Sequence, residues 1–507
     1  KKVITNIEVN HNKLVVAEWG GITVEDMNGN AVVTKVNDFN YALLDVDGVI
    51  WFGSSQYGLL RIGINGEEGF LPNGPRAAAS YNMLGTGKEL WVASGSHTNT
   101  YAATYSYNRY YHFTGSEWKN APDNPLINPM FDFTEIAQNP INKNIYFGTH
   151  GSGIVELANV SGQPIQTFDS TNSPLQNYGV ATVVTGLAFD KTGRMWVSNF
   201  GADSALRVRL TNGKWVAFQL QTASAGKILI DAKNYKWLTS PRNISNGIIV
   251  YDDNGTPENK ADDRIATLNN TPLGGNLPSL SISCMVQTGK GDIWIGSDLG
   301  LSVISTPSNV FLNPSNLANR IIIPFEEGSS QGAYLLGNEI INCITIDGGD
   351  RRWVGTNNGA YLIDNDGQTV LKHYTKDNSP LLSDQIYTIG IIEETGEVFF
   401  GTSRGIVSYQ GNATKSSKNF NNLKIFPNPV KENFDGDVSI SGLMNNSLVK
   451  ITDINGNLIF ETGSNGGTAT WNCRKFNGER PATGVYLVFV INEDGSETSM
   501  GKILFIH

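Results

Sequence analysis

Short segments in which apolar and polar residues alternate occur along most of the chain, and turns rich in glycine, asparagine and aspartate separate them. Examples are the segments TGLAFD, NCITID and YTIGII. A period of two places alternate side chains on opposite faces of a sheet, so each segment predicts a β-strand with a buried face. The pattern predicts an all-β fold.

A motif centred on an aromatic residue recurs from near the N-terminus to about Gly411, with 40 to 59 residues between successive copies. A constant unit joined by loops of variable length is typical of repeat architectures. The eight clear copies read IWFGS at Trp51, LWVAS at Trp91, IYFGT at Tyr146, MWVSN at Trp196, KWLTS at Trp237, IWIGS at Trp294, RWVGT at Trp353 and VFFGT at Phe399. A weaker ninth copy, LVVAEWGGITV, covers Leu14 to Val24.

Most copies predict four short antiparallel strands. An acidic residue often stands six positions before the aromatic and a glycine three before it, which favours a tight turn entering the aromatic strand. The residue two positions after the aromatic is always small, which indicates close approach by a neighbouring backbone. Segments such as GIVEL at Gly153 supply a third strand, and segments such as KWVAFQL a fourth. Repeated units of this kind predict a β-propeller over residues 1–410, whose aromatic residues pack between blades.

The number of copies leaves two interpretations open, because propellers usually carry roughly four to eight blades. In the first, a ring of seven or eight blades absorbs the irregular copies. In the second, the first copies are blades of another ring whose beginning is absent from this chain.

The repeat stops at residues 411–422, GNATKSSKNFNN, which have no apolar periodicity and are predicted to be a linker. Residues 423–507 contain further short strands, with turns at Asn455-Gly456 and Asp494-Gly495 between them. These features predict a small Ig-like β-sandwich as a separate C-terminal domain.

Composition and charge exclude several classes of function. The 507 residues carry a net charge of −10, which argues against a nucleic-acid partner. No run of about 18 apolar residues occurs, so no membrane span is expected, and any signal peptide is expected to have been removed. The three cysteines are too few and too scattered for a disulfide framework or a zinc site, and two of them occupy equivalent repeat positions.

No motif predicts catalysis, a cofactor or a metal site, so the protein is not expected to be an enzyme. The sequence GTSRG at Gly401 matches a nucleophile elbow, but a strand rather than a helix is predicted to follow it. The six histidines lack metal-binding spacing, and His97, His112 and His150 are expected in solvated loops. Residues 252–264, DDNGTPENKADDR, lack EF-hand spacing and are likewise expected to form a solvated loop.

The loop HTNTYAATYSYNRYYHF has the most unusual composition in the chain. Aromatic faces stack on sugar rings, and arginine pairs with phosphate or carboxylate groups, so this loop suits an anionic glycan. The alternative is that alternate tyrosines of a strand simply pack. The candidate ligand-binding residues are Tyr101, Tyr105, Tyr107, Arg109 and Tyr110.

Two parts of the chain resemble known families. The repeat resembles the periplasmic propeller of Bacteroidetes hybrid two-component sensors. Four C-terminal segments, FPNPV, ITDINGNLI, PATGVYLVFV and GKILFI, resemble in this order the C-terminal sorting domain of the type IX secretion system. The residues that carry this motif are Pro427, Asn428, Pro429, Asp453, Gly456, Gly484, Tyr486, Gly501 and Lys502.

A propeller array that ends in this sorting domain resembles the PorZ-like surface components of the type IX secretion system. The resemblance implies a non-enzymatic protein that crosses the periplasm to the outer-membrane surface and keeps its sorting domain in the attachment complex. It implies binding of anionic lipopolysaccharide for delivery to the sortase PorU, with PorV and PorQ as further partners. Members of this family carry two propellers, so the resemblance also implies a truncated N-terminus.

Two other functions remain open at this point. The first alternative is a secreted cargo propeller that binds glycans and uses the sorting domain only as an address. The second is the periplasmic, carbohydrate-sensing half of a two-component regulator.

Overall fold

The computed structural model of the chain describes residues 4–10, 12–18, 21–36, 39–54, 58–63, 66–70, 73–98, 101–159, 161–220, 222, 224–241, 247–325 and 331–506. In these ranges the regular structure is β-strand, with short 3₁₀ helices at Lys260–Asp262, Pro272–Gly274 and Pro307–Phe311. The same ranges contain no helix long and apolar enough to cross a membrane. The predicted all-β class is confirmed.

Residue contacts divide the chain into two units, Lys1–Gly74 and Pro75–His507. The first unit holds two four-stranded antiparallel sheets with their strands in sequence order. The strands are β1 (Ile4–Asn10), β2 (Lys13–Glu18), β3 (Gly21–Asp26), β4 (Ala31–Val36), β5 (Phe39–Leu44), β6 (Ile50–Ser54), β7 (Gly58–Gly63) and β8 (Gly66–Phe70). Apolar residues of both sheets, among them Val15, Val24 and Phe52, form one buried cluster.

Seven blades follow in the described part of the second unit. Blade 1 consists of β9 (Asn82–Thr86), β10 (Glu89–Ala93), β11 (Tyr110–Phe113) and β12 (Trp118–Asn120). Blade 2 consists of β13 (Phe133–Gln138), β14 (Ile145–Gly151), β15 (Ile154–Leu157) and β16 (Pro164–Phe168). Blade 3 consists of β17 (Thr182–Phe189), β18 (Met195–Asn199), β19 (Leu206–Arg209) and β20 (Trp215–Phe218). Blades 2 and 3 are also hydrogen-bonded to each other, where His150 and Gly151 pair with Val183 and Thr182.

Blade 4 consists of β21 (Ile228–Ile230), β22 (Lys236–Thr239), β23 (Ile248–Asp252) and β24 (Arg264–Leu268). Blade 5 consists of β25 (Ile282–Gln287), β26 (Ile293–Ser297) and β27 (Gly300–Ile304). It is followed by the hairpin β28 (Ile322–Pro324) and β29 (Gly332–Tyr334). Blade 6 consists of β30 (Ile341–Ile346), β31 (Arg352–Thr356), β32 (Gly359–Ile363) and β33 (Val370–Tyr374). Blade 7 consists of β34 (Ile386–Ile392), β35 (Glu397–Thr402) and β36 (Gly405–Gln410).

The first strand of each blade packs against the first strand of the next, and β34 of blade 7 packs against β9 of blade 1. This closure buries Met83, Leu90, Ile392 and Phe399 in a common cluster. The seven copies of the motif from Trp91 to Phe399 therefore form one closed propeller, called the ring below. The copy at Trp51 and the weaker ninth copy lie in the first unit and are not blades of the ring, whereas their membership of another ring stays a prediction.

The small residue after each repeated aromatic lies at a seam between blades. A Cβ atom on Gly355 would lie 2.6 Å from Sγ of Cys343 and 2.8 Å from Cγ2 of Ile386, and one on Gly401 would lie 2.4 Å from Oγ of Ser80. The close neighbours of Gly355 and Gly401 are therefore side chains rather than the neighbouring backbone that the sequence indicated. A larger residue at these two positions would push against the adjacent blade.

The aspartate six positions before the repeated tryptophan has a second role beside the turn. In blade 4, Oδ1 of Asp231 accepts hydrogen bonds from the backbone N–H groups of Lys233 and Tyr235, and Oδ2 accepts one from the indole of Trp237 at 2.9 Å. The same indole bond occurs at Asp45, Asp190 and Asp347. The acid thus fixes the turn and satisfies a buried indole donor at once.

The last sixth of the chain forms a β-sandwich of two antiparallel sheets, as predicted. One sheet has the order β37-β38-β41 and the other β40-β39-β42-β43. Its strands are β37 (Lys424–Phe426), β38 (Val438–Ser441), β39 (Leu448–Thr452), β40 (Leu458–Gly463), β41 (Thr468–Trp471), β42 (Gly484–Ile491) and β43 (Thr498–Phe505). Trp471, Val488 and Phe505 are among the side chains buried between the sheets.

Candidate functional site

The tyrosine-rich loop does not bring its candidate residues to one surface. Tyr105 and Tyr107 are exposed and lie beside the ring of Phe131, with centroid distances of 4.9 and 5.8 Å. Tyr101 instead lies at the ring axis. Residues 99–100 of this loop are outside the described residues.

The other two candidates have structural roles. Nε of Arg109 donates to the carbonyl of Ile127 at 3.1 Å, and its second terminal nitrogen donates to the carbonyl of Asn128 at 3.3 Å. Tyr110 is 2% exposed and stacks on Phe147 in the core between blades 1 and 2. Tyr110 therefore packs in the core, which is the alternative that the sequence left open. The Arg109 guanidinium is hydrogen-bonded to backbone carbonyls of the protein itself. A role of the exposed tyrosines in ligand binding stays a prediction.

A cavity lies on the ring axis. It has a volume of about 660 Å³, and all seven blades contribute residues to its wall. We call it the channel mouth. A smaller cavity of about 250 Å³ continues inward along the first strands and shares Tyr81, Glu135, Lys227 and Tyr387 with it. The channel mouth is therefore the open end of the central channel.

Hydroxyl and amide groups dominate the wall of the channel mouth. Its polar lining includes Ser80, Ser94, Ser96, Ser106, Thr134, Thr185, Thr239, Ser283, Asn342 and Gln385. Each of these side chains can both donate and accept hydrogen bonds. A small, hydroxyl-rich solute matches such a wall better than an apolar ligand does.

Aromatic rings and two histidines form one side of the channel mouth. His97 stacks on Tyr101 with a centroid distance of 4.4 Å and lies 4.8 Å from His150. Nδ1 of His97 donates to the carbonyl of Thr98, so its Nε2 accepts the hydroxyl proton of Tyr81 at 2.7 Å. Burial lowers the pKa of His97, which keeps the ring neutral at neutral pH.

The histidines differ from the solvated loop residues that the sequence led us to expect. His150 is 1% exposed and hydrogen-bonds the Tyr101 carbonyl, so His97 and His150 converge on the channel mouth. His112 lies elsewhere, stacked on Trp91 at 3.7 Å and paired with Glu89 at 3.0 Å. His11 and His507 are outside the described residues.

The described wall of the channel mouth contains an acidic residue, Glu135, and a basic residue, Lys227. Glu135 is 7% exposed and makes no hydrogen bond or ion pair with any described residue, and the Lys227 ammonium likewise makes none. Burial raises the pKa of Glu135 to about 7, while the Lys227 charge acts in the opposite direction. Sequence analysis missed both residues.

The raised pKa makes stability depend on pH through Glu135. The unfolded chain ionises this carboxyl near 4.5 and the folded chain near 7, so the stability contribution is lost as pH rises between these values. We expect the Glu135→Gln variant to lose less stability than wild type between pH 4.5 and 8, by about 3 kcal/mol. Urea unfolding across this range measures the difference, with the exposed Glu432→Gln as control. If the unfolding free energies of wild type and Glu135→Gln change in parallel with pH, the raised pKa of Glu135 is contradicted.

Residues 254–264 are largely exposed, in line with the predicted solvated loop, whereas Asp252 and Asp253 before them are buried in the ring. The side chains of Lys236 and Asp253 are fully buried and form an ion pair, and the ammonium lies 4.0 Å from the centroid of the Trp196 ring. Asp252 pairs with Arg264 at the adjacent strand edge. Charged residues at these positions therefore hold blades 3 and 4 together.

The sorting-motif residues hold the sandwich together. Oδ1 of Asn428 accepts from the Leu504 backbone and its Nδ2 donates to the Lys502 carbonyl at 2.8 Å, which ties the PNP segment to β43. Pro427 and Pro429 both follow cis peptide bonds. The Tyr486 hydroxyl donates to the Ala482 carbonyl at 3.0 Å, as in a tyrosine corner.

The remaining motif positions shape turns and packing. Asp453 accepts hydrogen bonds from Asn455 and Asn457 in the turn that contains Gly456, whose φ is +85°. Gly501 leaves room for Ile425, because a Cβ atom there would lie 2.6 Å from its Cδ1. Gly484 begins β42, where it pairs with Phe505 at the end of β43.

The sandwich docks on blade 6 through the segment that precedes it. The Gly467 N–H donates to the Thr414 carbonyl at 2.8 Å, and the Lys415 N–H donates to the Glu393 carbonyl of blade 7 at 2.7 Å. A Cβ atom on Gly466 would lie 2.2 Å from the carbonyl oxygens of both Gly348 and Thr414. Residues 414 and 415 of the predicted linker are therefore held between ring and sandwich.

Comparison with known proteins agrees with this architecture. Residues 424–505 match the family of secretion system C-terminal sorting domains, and residues 276–298 match the two component regulator propeller family. The predicted sorting domain and the predicted relation of the repeat to regulator propellers are thereby confirmed. No curated protein sequence matches the chain.

Among solved structures, the chain is similar to PorZ, an essential bacterial surface component of the type IX secretion system of Porphyromonas gingivalis. The two are 23% identical, the alignment covers 99% of this chain and 70% of PorZ, and the TM-score is 0.72. The extracellular domain of a hybrid two component system from B. thetaiotaomicron is 15% identical over 100% of this chain and 69% of its own length, with a TM-score of 0.45. The likeness to PorZ establishes a common fold.

Proposed function

We propose that this protein is a non-enzymatic, cell-surface component of the type IX secretion system. In this role it crosses the periplasm, stays in the attachment complex at the outer membrane, and works with the sortase PorU, PorV and PorQ. Its ligand is anionic lipopolysaccharide, which it presents to the sortase. The PorZ-like fold and the match of residues 424–505 to sorting domains support this proposal.

The docked sorting domain is the observation that carries the proposal. A cargo protein needs an accessible, extended segment before its sorting domain so that a sortase can cut there. Here Ala413 is 2% exposed, and Thr414 is bound to the sandwich through both its carbonyl and its hydroxyl, the latter 2.6 Å from Oγ1 of Thr468. Cleavage at these residues would require the sandwich to leave the ring first, which favours a component that keeps its sorting domain.

Deletion of the gene in its own organism tests the proposed role. If the protein is a component of the system, other proteins with sorting domains should lose surface attachment and keep their sorting domains uncleaved. Complementation with the wild-type gene should restore both properties. If the deletion removes only this protein and leaves the other sorting-domain proteins processed and attached, the proposal is wrong and the protein is a glycan-binding cargo.

A further inference from the structure

The channel mouth combines features that identify a ligand class. Its volume of about 660 Å³ accommodates one or two sugar rings, within the usual size range of small-molecule sites. Hydroxyl and amide side chains from all seven blades converge on it, and the aromatic rings of Tyr81, Tyr101 and Tyr387 also line it. Sugar rings present hydroxyl groups at their edges and C–H groups on their faces, which this wall can match.

The ammonium group of Lys227 favours a ligand that carries a negative charge. Its ammonium lies 5.9 Å from the centroid of the Tyr81 ring and makes no ion pair within the described chain. Glu135 is the carboxylate present in the described channel wall, and it lies too far away to pair with Lys227. Lys227 is partly buried, and a partly buried cation without a counter-ion favours an anionic group on the ligand.

The state of Glu135 is compatible with an anion beside it. Burial raises the pKa of this carboxyl to about 7, so a substantial fraction is neutral at neutral pH. His97 is also neutral, since its Nε2 accepts the proton of Tyr81. The remaining charge at the centre of the wall is therefore that of Lys227, and protonated Glu135 can donate a hydrogen bond.

We propose that the channel mouth binds a sugar residue that carries a carboxylate or phosphate, with Lys227 pairing the anion, Tyr101 and Tyr387 flanking the ring, and Glu135 donating to a ligand oxygen. This assignment rests on the proposed function, of which it specifies the ligand-binding site. It places recognition on the ring axis rather than on the exposed tyrosines of the loop.

Binding of three monosaccharides to the full chain tests the site. Glucuronate, glucose 6-phosphate and uncharged glucose serve as probes in calorimetric or NMR titrations. Wild type should bind at least one acidic sugar more tightly than glucose. Lys227→Met should raise the Kd of the acidic sugar roughly ten- to a hundredfold, as expected for loss of a charge-assisted hydrogen bond, and Lys227→Arg should retain most of the affinity.

The exposed Lys233→Met is the matched control, because it removes the same charge from the neighbouring turn outside the channel. Melting curves of all variants establish that they are folded. Failure of wild type to prefer either acidic sugar, or equal binding by Lys227→Met, would overturn the site.

Titration with purified anionic lipopolysaccharide separates this site from the proposed function. If wild type and Lys227→Met bind the lipopolysaccharide equally, the channel assignment is wrong although the proposed function stands. If acidic sugars depend on Lys227 but the lipopolysaccharide does not bind, the site stands and the proposed lipopolysaccharide ligand is wrong.

Discussion

Replacing Gly466 by valine is expected to release the sandwich from the ring. Gly466 has a φ of +60°, and a Cβ atom there would lie 2.2 Å from two backbone carbonyl oxygens, those of Gly348 and Thr414. Backbone atoms on both sides of the contact cannot move aside as a flexible side chain would. Once the sandwich is released, Thr414 loses its hydrogen bonds to the sandwich and is no longer held in place, and limited proteolysis should cut the segment 411–422 roughly tenfold faster or more.

Gly456→Val is the matched control for this experiment. Gly456 lies in the same domain at a φ of +85°, but a Cβ atom there would meet nothing within 4 Å. It therefore introduces a similar backbone strain without the clash. Equal cleavage rates in Gly466→Val and Gly456→Val, both measured by mass spectrometry of the fragments, would show that the contact does not hold the sandwich.

The Lys236→Met variant is expected to lose about 3 to 5 kcal/mol of unfolding free energy. The change removes the closer of the two cations beside the Asp253 carboxylate and leaves only the Arg194 guanidinium, 3.9 Å away, and the side chains of Lys236 and Asp253 are fully buried in wild type. It also removes the cation that lies over the Trp196 ring. Urea unfolding followed by tryptophan fluorescence at neutral pH measures the loss.

The double variant Lys236→Met with Asp253→Leu separates the orphaned charge from simple loss of packing. Replacing both ions of a buried pair by apolar residues is often close to neutral, so the double variant should recover most of the lost stability. If it remains as unstable as Lys236→Met, the destabilisation comes from packing rather than from the unpaired carboxylate.

The propeller could be predicted because its blades repeat a short sequence pattern. An aromatic strand followed by a small residue recurs in every clear copy and a turn acid in most of them, and these features are local in sequence. Ring closure is different, since it depends on contact between Met83 and Phe399, more than three hundred positions apart. Motif spacing therefore predicted the fold but left the blade number open.

The channel mouth could not be predicted in the same way. Blade 1 supplies many residues of its wall, but each of the other six blades supplies only one to three, so no single segment has the composition of the site. A local signal did exist for Glu135, which interrupts the otherwise apolar strand FTEIAQ. A charge inside a buried strand requires a partner or a cavity, and this rule would have directed attention to the ring axis.

The tyrosine-rich loop shows the limit of composition as a guide. Five aromatic or basic residues within ten positions indicated a single glycan surface, yet the backbone directs them to different environments. Positive φ angles at Tyr101, Tyr105 and Arg109 turn the chain sharply between them. Without these turns, which sequence patterns do not specify for residues other than glycine and asparagine, the side chains could not be assigned to core or surface.

The docking contact was signalled by two glycine pairs, Gly348-Gly349 in blade 6 and Gly466-Gly467 in the sandwich. Each pair allows a carbonyl oxygen of another segment to approach the backbone closely. The sequence could not reveal that the two pairs face the same connecting segment.

The intact mass of the protein recovered from the surface of its own cells tests the central claim most directly. A docked sorting domain in a working component predicts a chain that still ends at His507, without an attached glycolipid. A chain that ends near Asn422 and carries a sugar-lipid adduct would contradict the account, because it would identify the protein as a processed cargo.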